Sequence, residues 1–546
     1  MHRQPATVKN CTKRVRYLGR SDKASRWHPC IHPAPLFAVA ALIGGLVVGP
    51  LAVSGALETA HAAAPSPGTY VALTPARITD TRADSGSPNS GKTLSAGGTL
   101  NVQVTGAGGV PTNGVSTAVL NVTAVNPTAS SFLTVFPEST TQPVVANLNF
   151  TAGESLANLD TVPVGVQGGV TIYNHTGGTD VVVDVEGYYT TTPQVTGLYN
   201  PVAPKRVFGT FQVGGVIGAG TSQPVTVTGG STGVPVDASA VVANVTAAGS
   251  TGPSFLTVYP APATGSPTPP TAANVNFSKG QIIGNRVTIP VGADGQIEVY
   301  NHTGSVDVDV DLYGYYTGTA GELGSAFTPL APTRFTDTRV AINGSAISAE
   351  SSESFNFLSD SIPTTATVLA SNVTVVAGTA AGYLTIFPAN ESTPPDVGDV
   401  AFTSNAIGQD FALVPLNGAA TEMFNSSAIP VNIVIDAFGY FSPPPRAVHV
   451  IANPTNLQAD GTSISALTIL VTTGSGVAFD DAVTLTTKSS VTGSCGPTSL
   501  TGSTNAFGQV TSTYTASTTV GTCTITATEA NGGTTGTTII TQTASI

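Results

Sequence analysis

Charged residues are scarce in this 546-residue chain: they make up 9%, with 19 Lys and Arg against 31 Asp and Glu. So few bases leave no basic surface for nucleic acid or an anionic membrane. There is a single Trp, Trp27, and there are two Met and four Cys. No window outside residues 36–57 sets apolar residues at i, i+3, i+4 and i+7 over three turns, which excludes helical fold classes. No G-x-S-x-G, H-E-x-x-H, P-loop or dinucleotide fingerprint falls at a strand-to-helix junction, so no cofactor is expected. Low charge with few aromatics would suggest disorder if aliphatic residues were scarce, but they are abundant and alternate with polar ones.

What the chain does have is a long internal repeat. Phe-Leu-Thr-Val-Phe-Pro at 132–137 returns as Phe-Leu-Thr-Val-Tyr-Pro at 255–260 and Tyr-Leu-Thr-Ile-Phe-Pro at 383–388. Eleven residues before each leading aromatic stands Asn-Val-Thr, beginning at Asn121, Asn244 and Asn372. Each unit opens on Pro-x-Arg, at Arg77, Arg206 and Arg334, and closes on Gly187-Tyr188, Gly314-Tyr315 or Gly439-Tyr440. The opening prolines Pro75, Pro204 and Pro332 are 204 − 75 = 129 and 332 − 204 = 128 residues apart. That period far exceeds a solenoid repeat, so each unit is large enough to own a core.

Residues 1–62 read as an export signal. Arg3, Lys9, Lys13, Arg14, Arg16, Arg20, Lys23 and Arg26 stand against Asp22, an apolar run over 36–57 is broken by Pro50, and Ala60-His61-Ala62 is a small-x-small cleavage signal. A retained membrane anchor is the alternative, because the run approaches spanning length. Removal leaves 19 − 8 = 11 bases and 31 − 2 = 29 acids, a formal charge of −18. It also leaves two cysteines, Cys495 and Cys523, which in an exported chain read as a disulfide closing a loop of 523 − 495 = 28 residues. Zinc is disfavoured there, since His449 is the only nearby imidazole and no C-x-x-C occurs.

Within a unit, period-two runs mark strands, for example 119–125, 132–136, 169–173 and 180–185, separated by Gly, Pro and Asn turns. The expected fold class is all-β: three homologous β-sandwich or jelly-roll-like domains plus a fourth, C-terminal sandwich. Acids and bases that recur in a chain this poor in charge are expected to meet, as Arg77–Asp184, Arg206–Asp311 and Arg334–Asp436, between first and last strands laid side by side. A second recurring set is Asn121, Asn147 and Asn174, matched by Asn244, Asn274 and Asn301 and by Asn372, Asp399 and Asn425. These amides either satisfy strand ends and turns, or form a polar cleft for sugar hydroxyls with Tyr173, Tyr300 or Phe424 beside them. Asp307, Asp309 and Asp311 share one strand face and are a Ca²⁺ candidate, although Val182, Asn432 and Val434 break the pattern in the other repeats.

At Pro-x-Arg-x-x-Asp-Thr-Arg (75–82 and 332–339), Asn-Val-Thr, Phe-Leu-Thr-Val-Phe-Pro and Asp-x-x-Gly-Tyr, the array resembles a repeat family of secreted actinobacterial proteins. The second unit departs at Gly209-Thr210-Phe211. That family accompanies cell-wall hydrolases and surface proteins, and no hydrolase domain accompanies the array here. From Ala447, Asp460-Gly461-Thr462-Ser463, the alternating 467–471 run and the Asn505-x-x-Gly508-Gln509 turn resemble a bacterial immunoglobulin-like domain of the invasin/intimin group, a stalk module of adhesins. The expected organisation is a signal at 1–62, β-repeat domains at 63–190, 198–317 and 326–442, and an immunoglobulin-like domain at 447–546. The short connections between them predict an extended or loosely packed chain. The functional expectation is a secreted, cell-surface or cell-wall-associated, non-enzymatic protein binding glycan or another surface polymer. A spacer without ligand is one alternative; a glycan hydrolase is another, though no recurrent carboxylate pair is present for it.

Overall fold

The computed structural model describes residues 67–544 apart from 192–193, 195, 211–214, 320–323, 359–361, 377–378, 445, 474–475, 478–480, 497–500, 506–507 and 531–532. The export signal and Phe211 therefore lie outside the described residues. The regular elements of the described residues are strands apart from two short 3-10 turns, and among these residues no helix is long and apolar enough to cross a membrane.

Repeat 1 contains β1 (Tyr70–Asp80), β2 (Thr99–Gln103), β3 (Val115–Val125), β4 (Ser131–Pro137), β5 (Leu148–Phe150), β6 (Leu156–Pro163), β7 (Gly169–Asn174) and β8 (Asp180–Thr190). They form two four-stranded antiparallel sheets, an inner one ordered β1-β8-β3-β6 and an outer one ordered β2-β7-β4-β5. The alternation explains the layering. Leu120, Val122, Val183 and Val185 point from the inner sheet into a core shared with Val102, Leu133, Val135, Val170 and Ile172 of the outer one. Repeats 2 (Tyr199–Gly209 to Asp307–Tyr316) and 3 (Ala326–Asp337 to Asn432–Ser442) have the same two sheets in the same order.

The residues of opposite parity in the inner sheets are buried too, because the three repeats close on one another. Tyr70, Val119, Tyr189, Tyr199, Val242, Tyr316, Phe327, Val368 and Phe441 form one core to which every repeat contributes. Its aromatic contacts run in a cycle: Tyr70 of repeat 1 on Tyr316 of repeat 2 at 4.4 Å, Tyr199 of repeat 2 on Phe441 of repeat 3 at 4.8 Å, and Phe327 of repeat 3 on Tyr189 of repeat 1 at 4.4 Å. Backbone bonds follow the same circuit, with Gly68 and Phe327 exchanging N–H···O bonds of 2.8 Å and Tyr199 and Ser325 exchanging bonds of 2.9 Å. The extended chain suggested by the short connections is thus replaced by a ring of three. What was missed is that both faces of the inner strands are apolar, a sign of strands covered on both sides.

The closing Gly-Tyr of each repeat has a steric origin. A Cβ on Gly187 would sit 2.2 Å from the Tyr70 side chain, on Gly314 2.3 Å from Tyr199, and on Gly439 2.3 Å from Phe327. Only glycine lets these rings lie flat on the last strand and reach the shared core.

Residues Arg446–Asn453 to Thr535–Thr543 form a separate pair of sheets, one of four strands and one of five, around Leu467, Ile469, Val471, Tyr514, Ile525 and Ile540. Asp460 accepts from the backbone of Thr462 and Ser463, making the Asp-Gly-Thr opening an Asx-type turn. Cys495 and Cys523 are joined in a disulfide with Cα atoms 5.0 Å apart, Cys523 fully buried in the strand Gly521–Glu529. A 28-residue loop closed this way is worth about 3 kcal/mol in the chain-entropy model. The denatured, unreduced protein should therefore titrate no free thiol from these two positions, and reduction should lower the melting point of this sandwich alone.

Candidate functional site

The recurrent acids and bases meet between first and last strands. Arg77 donates to Asp184 through Nε at 2.9 Å and Nη2 at 3.1 Å. Arg206 reaches Asp311 at 2.8 and 3.0 Å, and Arg334 reaches Asp436 at the same two distances. Asp80 and Asp337 of the Asp-Thr-Arg motif give the first and third arginines a second acid. Repeat 2 has Gly209 at that place, and Asp309, directly across the strand pair, supplies the acid at 2.9 Å from Arg206. This arrangement removes the calcium reading. Asp309 and Asp311 are taken by Arg206, Asp307 accepts from Thr210, and no cluster among the described residues could hold a metal ion.

The asparagines are buried and their Nδ2 groups are engaged by the framework; of the predicted asparagines only Asn244 also lines a cleft. Asn174 donates to the carbonyls of Leu94, Ser95 and Gly177, and Asn301 to those of Ile217 and Gly304. Asn147 and Asn274 accept from Val135 and Val258 N–H, bracing the short β5 strand and its counterpart. Asn121 and Asn244 act between repeats: Asn121 donates to Ala273 O of repeat 2, Asn244 to Gly398 O of repeat 3, and Asn372 to Ala146 O of repeat 1. Each Asn-Val-Thr thus clasps the segment before the β5 counterpart of the next repeat, and the third clasp returns to the first repeat.

The three joints share this clasp and differ in what surrounds it. At joint 1–2, Glu186 accepts from Asn274 Nδ2 at 2.6 Å and Thr288 N at 2.8 Å. At joint 2–3 the fully buried Arg286 donates to Asp399 at 3.0 Å, its backbone N–H donates to Asp410 at 3.1 Å, and its guanidinium lies 3.7 Å from the Tyr313 ring centroid. At joint 3–1, Gln409 accepts from Asn149 N and Nδ2, both at 2.7 Å, and donates to Asn149 O at 2.8 Å. Sequence reading missed Glu186, Arg286 and Gln409 because none recurs. A lone arginine in the apolar run 285–291 was the available signal.

Clefts open at the joints. One of about 390 Å³ at joint 1–2 is lined by Arg77, Arg82, Phe255, Asn276, Tyr300 and His302 among others. A second, of about 590 Å³, is lined by all three repeats and includes Phe132, His175, Asn149, Asn244, Gly284 and Gln409. In each, an imidazole stacks on the leading aromatic of the repeat motif, His302 on Phe255 at 4.6 Å and His175 on Phe132 at 4.7 Å. Tyr300 and Tyr173 thus stand at or beside the clefts, while the predicted asparagines other than Asn244 form the framework behind. No carboxylate lines the joint 1–2 cleft. No protein-family model matches the chain, and no curated protein matches it.

Replacing Arg286 with Ala strands Asp399 and Asp410 in the interior, and should cost about 3–5 kcal/mol at pH 7, read by denaturant unfolding. Burial pushes the Glu186 carboxyl up to about 8 from 4.5, against the hydrogen bonds of Thr288 and Asn274, and pushes Asp410 up to about 7 despite Arg286. A carboxyl with a raised folded-state pKa favours the fold while protonated. Its contribution is complete below about pH 4.5 and is lost as pH rises through about 8. Glu186→Gln, which removes the titration although its Nε2 meets an N–H donor where a carboxyl oxygen accepted, should flatten the fall in melting temperature between pH 5 and 9; an unaltered slope would show that Glu186 is not its source.

Proposed function

We propose that this chain is a secreted, non-enzymatic cell-surface or cell-wall-associated protein that binds glycan or another surface polymer. The observation that carries the reading is the joint 1–2 cleft. It combines the Phe255–His302 stack, Tyr300, amide and guanidinium donors and no carboxylate, which suits a neutral, oxygen-rich ligand with apolar ring faces. A hydrolase needs a carboxylate that can reach the scissile bond. The buried acids are instead spent on the joints: Asp399 accepts from Arg286 and Ile386 N, and Glu186 from Asn274 and Thr288. The disulfide fits an oxidising compartment. The C-terminal sandwich serves in this reading as an adhesin-type stalk module.

The spacer reading draws support from the asparagines, whose Nδ2 groups are engaged by the framework. A pull-down separates the two. The protein is expected to sediment with purified peptidoglycan or with whole actinobacterial cells, and His302→Ala with Tyr300→Ala should reduce the retained fraction severalfold. Absence of binding to both materials would put the spacer reading ahead.

A further inference from the structure

The joints provide an internal comparison that assigns a specific site. The residue two positions after Asn147, Asn274 and Asp399 is Asn149, Asn276 and Ala401, each paired across the strand with the leading aromatic, Phe132, Phe255 or Tyr383. Facing it from the preceding repeat is the residue paired with the threonine of Asn-Val-Thr: Gln409 with Thr374, Ala157 with Thr123, Gly284 with Thr246. At joint 3–1, Gln409 reaches Asn149 and satisfies its amide and both its backbone groups. At joint 1–2 the same position is Ala157, too short to reach, and Asn276 Nδ2 is left buried without a hydrogen-bond partner beside the cleft. A buried amide without an acceptor costs about 1–3 kcal/mol, so the position favours an incoming oxygen. Joint 2–3 has Ala401 and hence no amide.

We propose that the joint 1–2 cleft is a binding site for an N-acetylated sugar unit of a polysaccharide, with Asn276 Nδ2 donating to its acetamido carbonyl, and that at joint 3–1, where a cleft stays open, Gln409 plugs only the donor position by occupying Asn149. The ring face of the sugar lies against Tyr300 and the Phe255–His302 stack, and Val125 and Val182 in the same lining receive the acetamido methyl. Joint 3–1 has matching parts in Phe132, Tyr173, His175, Arg334 and Arg339 and differs by its plug. This assignment rests on the polymer-binding reading and names its ligand class and place.

The test is calorimetric titration of the purified protein with chitotetraose, the β-1,4-linked tetramer of N-acetylglucosamine. The wild type should bind one equivalent. Ala157→Gln, which installs the plug, and Asn276→Ala should each weaken binding at least tenfold, and Gln409→Ala should raise the stoichiometry toward two. Melting curves establish that Ala157→Gln folds; should it not, Asn276→Ala and Gln409→Ala decide alone. Wild-type binding unchanged in Ala157→Gln and Asn276→Ala would overturn the site while leaving the polymer reading intact. No wild-type binding would overturn the sugar assignment, and the peptidoglycan pull-down would then report separately on the broader reading.

Discussion

The ring depends on how one short backbone segment is buried, three times over. The residues just before the β5 strand of each repeat, at Ala146, Ala273 and Gly398, lie against the inner sheet of the preceding repeat, away from water. Backbone groups in such a place must find partners. The asparagine of Asn-Val-Thr supplies a donor to the carbonyl at all three, and Asp184 and Asp436 accept from the N–H of Ala273 and Ala146. This accounts for an Asn and an Asp inside strands, where both are otherwise disfavoured. The Arg77, Arg206 and Arg334 pairs act one layer behind, each fixing its aspartate with two guanidinium hydrogen bonds.

A ring of three similar units has to distinguish its joints. The shared aromatic core and the three clasps do not, since each repeat offers the same groups. The residues that break the repeat pattern do. Glu186 meets donors on repeat 2, Arg286 meets two acids on repeat 3, and Gln409 meets an asparagine on repeat 1. Exchanging repeats would bury Arg286 against Asn147 or Asn274 and Glu186 against Asp399, leaving charge without compensation. Deviations from the consensus thus carry the positional information of the assembly.

The all-β strand pattern, the pairing of first and last strands and the disulfide were legible in the sequence, because each rests on local alternation or on a few residues whose positions recur or stand out. The ring was not. Recurrence shows that Asn121, Asn244 and Asn372 do the same thing, but not that the thing is done to a neighbour. The same asparagine pattern suits a turn, a sugar or a clasp, and only burial separates them. The three aspartates at 307, 309 and 311 misled for a related reason: Gly209 had lost its acid, and Asp309 restored it from across the strand pair. Reading the two departures together would have pointed to Arg206 rather than to a cation.

The seam between Gly68 and Phe327 has a consequence for how such a protein can change over time. In an open array a unit can be added or lost at either end, and the rest persists with a slightly shorter or longer stack. Here Gly68, just ahead of the first strand of repeat 1, is bonded to Phe327 in the first strand of repeat 3, and the last clasp returns to the first repeat. Gene duplication that inserted a fourth unit, or recombination that deleted one, would leave two mismatched inner faces exposed. Adding or removing one repeat would thus open the ring, whereas a module added after it would leave every joint intact.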